Sequence, residues 1–248
     1  MSSSDAEPVG AYALQGRIHY TSTKADRQGQ ERGRESFRID VHTDGSRTIA
    51  AHGEIDDAPS VMRDVISSVD PHLRPTDCFV RLSVADRFGG TAWFRFDEDT
   101  AECEAYLKLE GRFSQRIKLK QPLPAFGNHA MINDGFLMHL YDLSKGPGVQ
   151  VINGLLLSSP DHRGATGPML FPVDLAIEFV GPEQVEVAAG VFDALHFRMA
   201  DVPGLPLEHP PYDLWCTSDG DYVLLRARVG GYMQTAYELL ELNRTESA

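Results

Sequence analysis

Alternation of apolar and polar residues with a period of two runs through most of the chain, and this pattern predicts β-strands. Residues 37–55 and 213–229 each carry an Asp-Gly pair between two alternating runs, at Asp44-Gly45 and Asp219-Gly220. An Asp-Gly pair in that setting is a strong signal for a two-residue hairpin turn. Three further hairpins are predicted: over 78–96 with a turn at 88–90, over 101–120, and over 173–199 with a turn at Gly181-Pro182.

Helical periodicity is scarce, and only 60–68 and part of 126–142 are predicted to be helical. A long chain of hairpins must protect its sheet edges, and closure into a barrel does this best. We therefore predict a mainly-β fold: one antiparallel β-barrel or strongly curved sheet with one or two short helices. It forms a single domain over 1–248 with a flexible, polar leader at 1–9, and 22–35 is a charged loop between strands.

The hairpin turns also predict which side chains share a face, because register fixes the facing of every residue in a strand. A two-residue loop at Asp44-Gly45 pairs Phe37 with His52, which places His52 on the inner face. There it is either a ligand-contacting group or a core histidine with one hydrogen-bond partner.

Two strand regions mix aromatic and basic residues on one face, which suits either a ligand cavity or an ion-paired outer face. The first contains Trp215 and Arg226, beside the Asp219-Gly220 turn. The second contains Arg81 and Trp93. An inward arginine needs a counter-charge or an anionic ligand, because a buried, unpaired guanidinium is very costly. The choice between the two faces stays open at this stage.

Composition and charge limit the partners. The 248 residues are 42% hydrophobic and carry a formal net charge of -13, so the chain is globular and repels nucleic acid and anionic membranes. No apolar run approaches the roughly 18 residues of a membrane span, and the N-terminus lacks the features of a signal peptide, which predicts a cytoplasmic protein. Three distant cysteines without a C-x-x-C pair predict buried free thiols.

Sequence motifs for cofactors are missing. There is no G-x-S-x-G elbow, and no G-x-G-x-x-G or P-loop lies between a strand and a helix. His129, Asp134 and His139 are spaced five and five, and on a helix they would fan around the axis instead of converging on a metal. We therefore predict no cofactor and no metal, which leaves proton transfer as the available chemistry.

Candidate catalytic residues lie in 126–142, where His129, Asp134, His139 and Tyr141 stand among apolar side chains. If 131–142 is helical, His139 lies on the apolar face, and burial lowers its pKa and keeps it neutral, as a general base requires. Tyr141 or Asp134 then acts as an acid or orients the base. In the alternative, this helix only plugs the barrel end and His139 bonds to a backbone carbonyl.

The C-terminal 70 residues carry a family resemblance. The matching residues are Ala188, Ala189, Gly190, Phe192, Asp193, Ala194, Trp215, Asp219 and Gly220. They form a small-residue-plus-glycine turn followed by Phe-Asp-Ala, and a Trp-containing hairpin that leads into the last strand. In these features the chain resembles bacterial calycin-like (lipocalin-like) β-barrels of unknown function. The resemblance implies a barrel with a small-molecule cavity and no particular reaction.

Three hypotheses about function follow. The first is a cofactor-independent lyase or isomerase acting on a hydrophobic, aromatic, small molecule; a looser association with lyases of lignin-derived aromatics suggests the substrate class. In it the four candidate catalytic residues do acid–base work, with the remaining candidates contacting the substrate: Arg81, Trp93, Trp215, Arg226, Tyr232 and His52. The second is a lipocalin-like binding protein, whose cavity histidines would all have structural partners. The third is a homodimer formed through the Trp215/Arg226 face.

Overall fold

The computed structural model of the protein describes residues 10–161, 163–203, 205–206 and 209–246. The predicted leader at 1–9 lies outside the described residues. Strands dominate this part of the chain. In order they are β1 (Tyr12–Ser22), β2 (Glu31–Val41), β3 (Arg47–Ile55), β4 (Val61–Val69), β5 (Pro75–Val84), β6 (Arg87–Phe96), β7 (Thr100–Leu107), β8 (Gly111–Lys118), β9 (Phe126–Gly127), β10 (Gly148–Leu157), β11 (Phe171–Val187), β12 (Gly190–Asp201), β13 (Tyr212–Thr217), β14 (Leu224–Val229) and β15 (Thr235–Glu246).

All these strands belong to one sheet with the order β8-β7-β6-β5-β4-β3-β2-β1-β15-β14-β13-β12-β11-β10-β9. Neighbouring strands are antiparallel except for the short pair of β9 and β10, which is parallel. The first and last strands are joined, because β1 pairs with both β2 and β15. The predicted mainly-β, antiparallel sheet is confirmed; its two end strands, β8 and β9, do not pair with each other, so the sheet is not closed into a barrel.

One side chain nevertheless links β8, at one end of the sheet, to the residue that precedes β11. The Gln115 amide on β8 donates to the carbonyl of Leu170 at 3.1 Å, and its oxygen accepts from the Leu170 amide at 2.7 Å. Leu170 directly precedes β11. A side-chain amide therefore takes the place of a backbone ladder where the curved sheet approaches itself, and it satisfies both polar groups of a buried residue.

Replacing Gln115 by alanine is expected to lower the free energy of unfolding by about 1–3 kcal/mol, because the buried Leu170 amide and carbonyl lose their partner. Hydrogen exchange of the Leu170 amide should become faster. Arg112→Ala on the same strand is the control, since that side chain is 81% exposed and its ion pair with Glu104 is long, at 3.6 Å. Equal exchange in both variants would contradict this role for Gln115.

The segment 126–142, part of which was predicted to be helical, lies against the core of the sheet, and its first two residues form β9. Phe126 packs between Phe94 and Phe96, with ring centroids 4.9 and 4.8 Å away. Helix α1 (Asn133–Leu137) follows and continues into a 3-10 turn over Met138–Leu140. Among the described residues, no helix has the length and hydrophobicity needed to cross a bilayer. The three cysteines are buried and unpaired, as predicted.

Two sequence predictions about secondary structure are wrong. Residues 60–68 are not helical but form β4, in which Arg63, Val65 and Ser67 are buried. Apolar residues also occupy the outward positions of β4, with Ile66 half exposed, so the segment lacks the simple alternation of a strand. The predicted loop at 22–35 ends early, because β2 begins at Glu31.

Two predicted turns are also displaced. The hairpin of β5 and β6 turns at Ala85-Asp86, where both residues have positive φ, rather than at 88–90. The strand β11 continues through Gly181-Pro182 to Val187, with a register shift between Phe179 and Gly181. A bulge thus absorbs the Gly-Pro pair that had suggested a turn.

The inward placement predicted for His52 is wrong as well. The connection of β2 to β3 spans 42–46 rather than two residues, so Val41 pairs with Arg47 and Ser36 with His52. A register shift by one residue turns every side chain of the strand to the other face. His52 therefore lies on the outer face, hydrogen-bonded to Asp64 at 2.6 Å and to Glu54 at 3.2 Å.

Candidate functional site

A cavity of about 150 Å³, called the main cavity below, lies on the inner side of the sheet, beneath the segment that contains α1. Its walls are mainly apolar, with three tyrosines and a few charged groups among them. The aliphatic lining comes from Ile55, Leu137, Leu155, Leu157, Val173, Leu175, Met199, Val202, Leu205 and Met233. A concave, mostly apolar space with a few placed polar groups is the usual form of a small-molecule site.

A buried carboxyl group anchors the segment 126–142, called the lid segment below, to the sheet. Glu35 occupies an inward position of β2, and its two oxygens accept hydrogen bonds from the amides of Met131 and Ile132, each at 2.8 Å. The Tyr20 hydroxyl donates a third at 3.3 Å. Burial raises the pKa of Glu35, while the charge of Arg63 and these hydrogen bonds oppose the rise.

Arg63 lies in the same cross-strand row as Glu35. Gly53 of β3 pairs with Glu35 on one side and with Arg63 on the other. A Cβ atom at Gly53 would come within 3.1 Å of Glu35 Oε2 and 3.3 Å of Arg63 Nη2. The glycine therefore leaves room for the carboxyl and guanidinium groups side by side, and Arg63 also lines the cavity.

Asp134 of α1 forms the second acidic position of the site. The Tyr212 hydroxyl donates to Asp134 Oδ2 at 2.8 Å. Burial raises the pKa of Asp134 to about 7, and the nearby charge of Glu35 adds to the rise. Burial also raises the pKa of Tyr212 well above its usual value, so the tyrosine remains the donor of the pair. An aspartic acid that titrates near neutrality inside a cavity can accept or supply a proton.

His129 also lines the cavity, and both of its ring nitrogens have hydrogen-bond partners. Its Nε2 lies 3.0 Å from the carbonyl of Thr166 and its Nδ1 lies 2.5 Å from the Ser158 hydroxyl. A carbonyl only accepts, so Nε2 carries the proton and Nδ1 accepts from Ser158. Burial lowers the pKa of His129 to about 4, so the ring is neutral at physiological pH.

A second, wider cavity of about 480 Å³ adjoins the first and shares five lining residues with it: Tyr20, Ile55, Arg163, Met233 and Tyr237. Its charged lining residues are four basic groups and one acid: Lys24, Arg27, Arg32, Arg163 and Asp57. We refer to this region as the basic mouth. It is locally positive in a chain whose formal net charge is -13.

The structure brings two of the four candidate catalytic residues, His129 and Asp134, to the main cavity. His139 instead lines a separate, much smaller crevice, and its Nδ1 bonds to the carbonyl of Phe136 at 2.5 Å. The Tyr141 hydroxyl points to the carbonyls of Gly146 and Gly148, at 2.7 and 3.1 Å. His139 and Tyr141 thus hold the chain after α1 and do not reach the main cavity.

Of the six predicted substrate-contacting residues, Tyr232 lines the basic mouth. The others lie on the outer face of the sheet with His52. Trp93 is 45% exposed. Trp215 stacks on His196 with ring centroids 4.1 Å apart and donates to Glu183. The Arg81 guanidinium lies over the Phe88 ring, with Cζ 5.4 Å from the ring centroid. Arg226 donates to the carbonyl of Glu186 at 2.6 Å.

Sequence reasoning missed Glu35, Arg63 and Tyr212. A signal existed for the first two, because Glu35 keeps the inward alternation of Phe37 and Ile39, and Arg63 keeps that of Val65. The assignment of 22–35 to a loop and of 60–68 to a helix concealed both alternations.

Among the described residues, no group of three or more His, Cys, Asp or Glu side chains is arranged to hold a metal ion.

No protein-family model matches the chain, and no curated protein matches it significantly. Among solved structures, it is similar to a β-barrel-like protein of the domain of unknown function DUF1849 from Brucella abortus. The TM-score is 0.61 at 10% identity, over 97% of this chain and 100% of that chain. A protein with a YmcC-like fold from Bacteroides fragilis aligns with a TM-score of 0.36 at 10% identity, over 94% and 95% of the two chains. The first likeness shows a shared β-barrel-like fold.

Proposed function

We propose that this protein binds a small, mainly apolar molecule in the main cavity without changing it chemically, in the manner of a lipocalin-like carrier. The observation that carries the proposal is an apolar cavity whose two histidines, His129 and His209, both hydrogen-bond to the protein; His209 Nδ1 lies 2.8 Å from the carbonyl of Pro210. Both nitrogens of His129 have partners, and with a pKa of about 4 the neutral ring is too weak a base to take up a proton efficiently at neutral pH. This is the arrangement expected of a binding protein and not of a histidine catalyst.

A cofactor-independent lyase or isomerase is the second candidate, and Asp134 is the observation that favours it. Its carboxyl group faces the cavity with a pKa of about 7, close to the value that suits a general acid or base. An aromatic, lignin-derived substrate remains a prediction for this case, as do a cytoplasmic location and a homodimer for either case.

Incubation with a panel of apolar and aromatic molecules, followed by mass spectrometry, separates the two candidates. A carrier is expected to retain a chemically unchanged molecule, whereas a lyase releases products of different mass and an isomerase yields a product of equal mass that separates from the substrate in the chromatography before the mass measurement. Met199→Trp should abolish retention, because the half-buried Met199 of β12 lines the cavity and a tryptophan there would fill it. Val191→Trp is the matched control, since Val191 is 62% exposed on the same strand. Equal retention by both variants would contradict binding in this cavity.

A further inference from the structure

We infer that the ligand is an amphiphile with one anionic head group, a carboxylate or a phosphate, which Arg63 binds inside the main cavity. This inference rests on the proposed binding function and specifies its ligand class. It starts from a charged side chain that the protein itself leaves without a full set of partners.

Arg63 is the charged residue at an inward position of β4, and it is only 8% exposed. Its Nε is buried and has no hydrogen-bond partner among the described residues. Within the described residues the guanidinium donates a long hydrogen bond, 3.5 Å from Nη1 to the carbonyl of Arg163. A guanidinium has five N–H donors, so most of its hydrogen-bonding capacity remains unused at a site where unmet donors are costly.

The neighbouring Glu35 does not meet this need. Its oxygens already accept two backbone amides and the Tyr20 hydroxyl, and within the described chain it forms no ion pair with Arg63 within 4.0 Å. Arg63 lines the main cavity, whereas Glu35 does not. Of these two charged groups, the guanidinium is therefore the one beside a ligand in the cavity, and a carboxylate or phosphate there could form with it the paired hydrogen bonds that arginine favours.

The rest of the cavity fits the other half of an amphiphile. The aliphatic part of the cavity wall includes Leu155, Val173 and Leu175 from β10 and β11. Of the two acids that line the cavity, Asp161 pairs with Arg163 at 3.2 Å, and Asp134 is held by Tyr212 and ionises reluctantly, because burial raises its pKa. An anion in the cavity thus meets little repulsion from it.

The approach to the cavity has the matching charge. The basic mouth contributes Lys24, Arg27, Arg32 and Arg163 against Asp57. Asp57 is shared between Arg27 and Arg32, and Arg163 pairs with Asp161 at 3.2 Å. A positive entrance in a strongly negative protein directs anions inward and raises their rate of association. The positive charge of the basic mouth and the unpaired donors of Arg63 inside the cavity thus both favour an anionic ligand.

The test compares three probes with the same apolar chain: octanoate, octyl phosphate and octanol. Isothermal titration calorimetry on the full-length protein should show octanoate or octyl phosphate binding at least about tenfold more tightly than octanol, as charge-assisted hydrogen bonds in a buried site allow. The tighter of the two anions identifies the head group. Because this comparison uses the wild-type protein, it does not depend on the folding of any variant.

Arg63→Met should remove the preference for the anions and leave octanol binding within about threefold of the wild type. Arg63→Lys should keep part of the preference, because lysine retains the charge without the paired geometry. Arg95→Met is the control for the loss of one positive charge, since Arg95 is 54% exposed on the outer face of β6, and it should leave the preference unchanged.

Equal binding of octanol and both anions by the wild type, or unchanged anion binding by Arg63→Met, would overturn the inference while octanol binding upholds the proposed function. If none of the three probes binds, both are overturned. If the preference is lost equally in Arg63→Met and Arg95→Met, the effect belongs to net charge and Arg63 is not the head-group site.

Discussion

Replacement of Glu35 by alanine is expected to lower the free energy of unfolding by about 3–5 kcal/mol, because it leaves several buried donors without an acceptor. The amides of Met131 and Ile132 each lose a 2.8 Å hydrogen bond, and the Tyr20 hydroxyl loses its acceptor. Urea-induced unfolding followed by tryptophan fluorescence measures the loss. Hydrogen exchange should become fastest at the amides of 131 and 132.

Two further variants separate hydrogen bonding from burial. Glu35→Gln keeps the size of the side chain but turns one acceptor oxygen into a donor, so it should cost about 1–3 kcal/mol. Glu31→Ala on the same strand should change stability little, because Glu31 is exposed and its ion pair with Arg34 is a surface one. A loss for Glu35→Ala no larger than that for Glu31→Ala would show that Glu35 does not anchor the lid segment.

The lid anchor also accounts for why α1 is helical at all. The helix has only five residues, too few to be stable alone, and it begins directly after the two amides that Glu35 holds. The carboxyl group satisfies amides that a helix start leaves free. Because α1 carries Asp134 and is preceded by His129, a residue on β2 determines where both line the cavity.

Local patterns were sufficient to predict the class of fold. Strand alternation and short turn signals are properties of neighbouring residues, and the hairpin of β7 and β8 is found where it was predicted. Register was harder, because it depends on loop length: a loop of five residues instead of two moved His52 to the outer face. Turn geometry thus decides which side chains of a strand point to the inner face of the sheet, and an Asp-Gly pair does not fully specify that geometry.

The site was only partly predictable, because its contacts join residues far apart in the chain. The pattern at 126–142 identified the lid and two cavity residues, His129 and Asp134. Nothing local to Asp134 indicates Tyr212, which lies 78 residues away. Nor does the sequence near Arg63 indicate Gly53 and Glu35, which the order of β2, β3 and β4 brings into one row.

Asp134→Asn is expected to leave stability unchanged near pH 4 and to raise it by about 3–4 kcal/mol above pH 8. The folded protein raises the pKa of Asp134 from 3.8 to about 7, with burial as the main cause. Below pH 4 the carboxyl group is protonated in both the folded and the unfolded state. Between pH 4 and 7 the folded state binds the extra proton, so wild-type stability falls as pH rises. Asparagine has no proton to lose and escapes this cost.

The difference between the two proteins must be measured, because His129 has the opposite effect on the wild type. Its pKa falls from 6.5 to about 4 on folding, so its contribution to stability is present above pH 6.5 and is lost as pH falls toward 4. This contribution is common to wild type and Asp134→Asn and cancels in the difference. Asp142→Asn is the control. Hydrogen bonding to Ser144 lowers the pKa of the exposed Asp142, so this substitution should change stability in the opposite direction as pH rises.

A stability difference that does not vary between pH 4 and 8 would show that Asp134 ionises normally, and the case for its acid–base role would fail with it. The expected result has a consequence for ligand binding. Once Asp134 is ionised, a negative charge lies in the same cavity as the head group of an anionic ligand. Affinity for octanoate should therefore fall as pH rises through 7 in the wild type and stay level in Asp134→Asn, whereas affinity for octanol should not follow this titration.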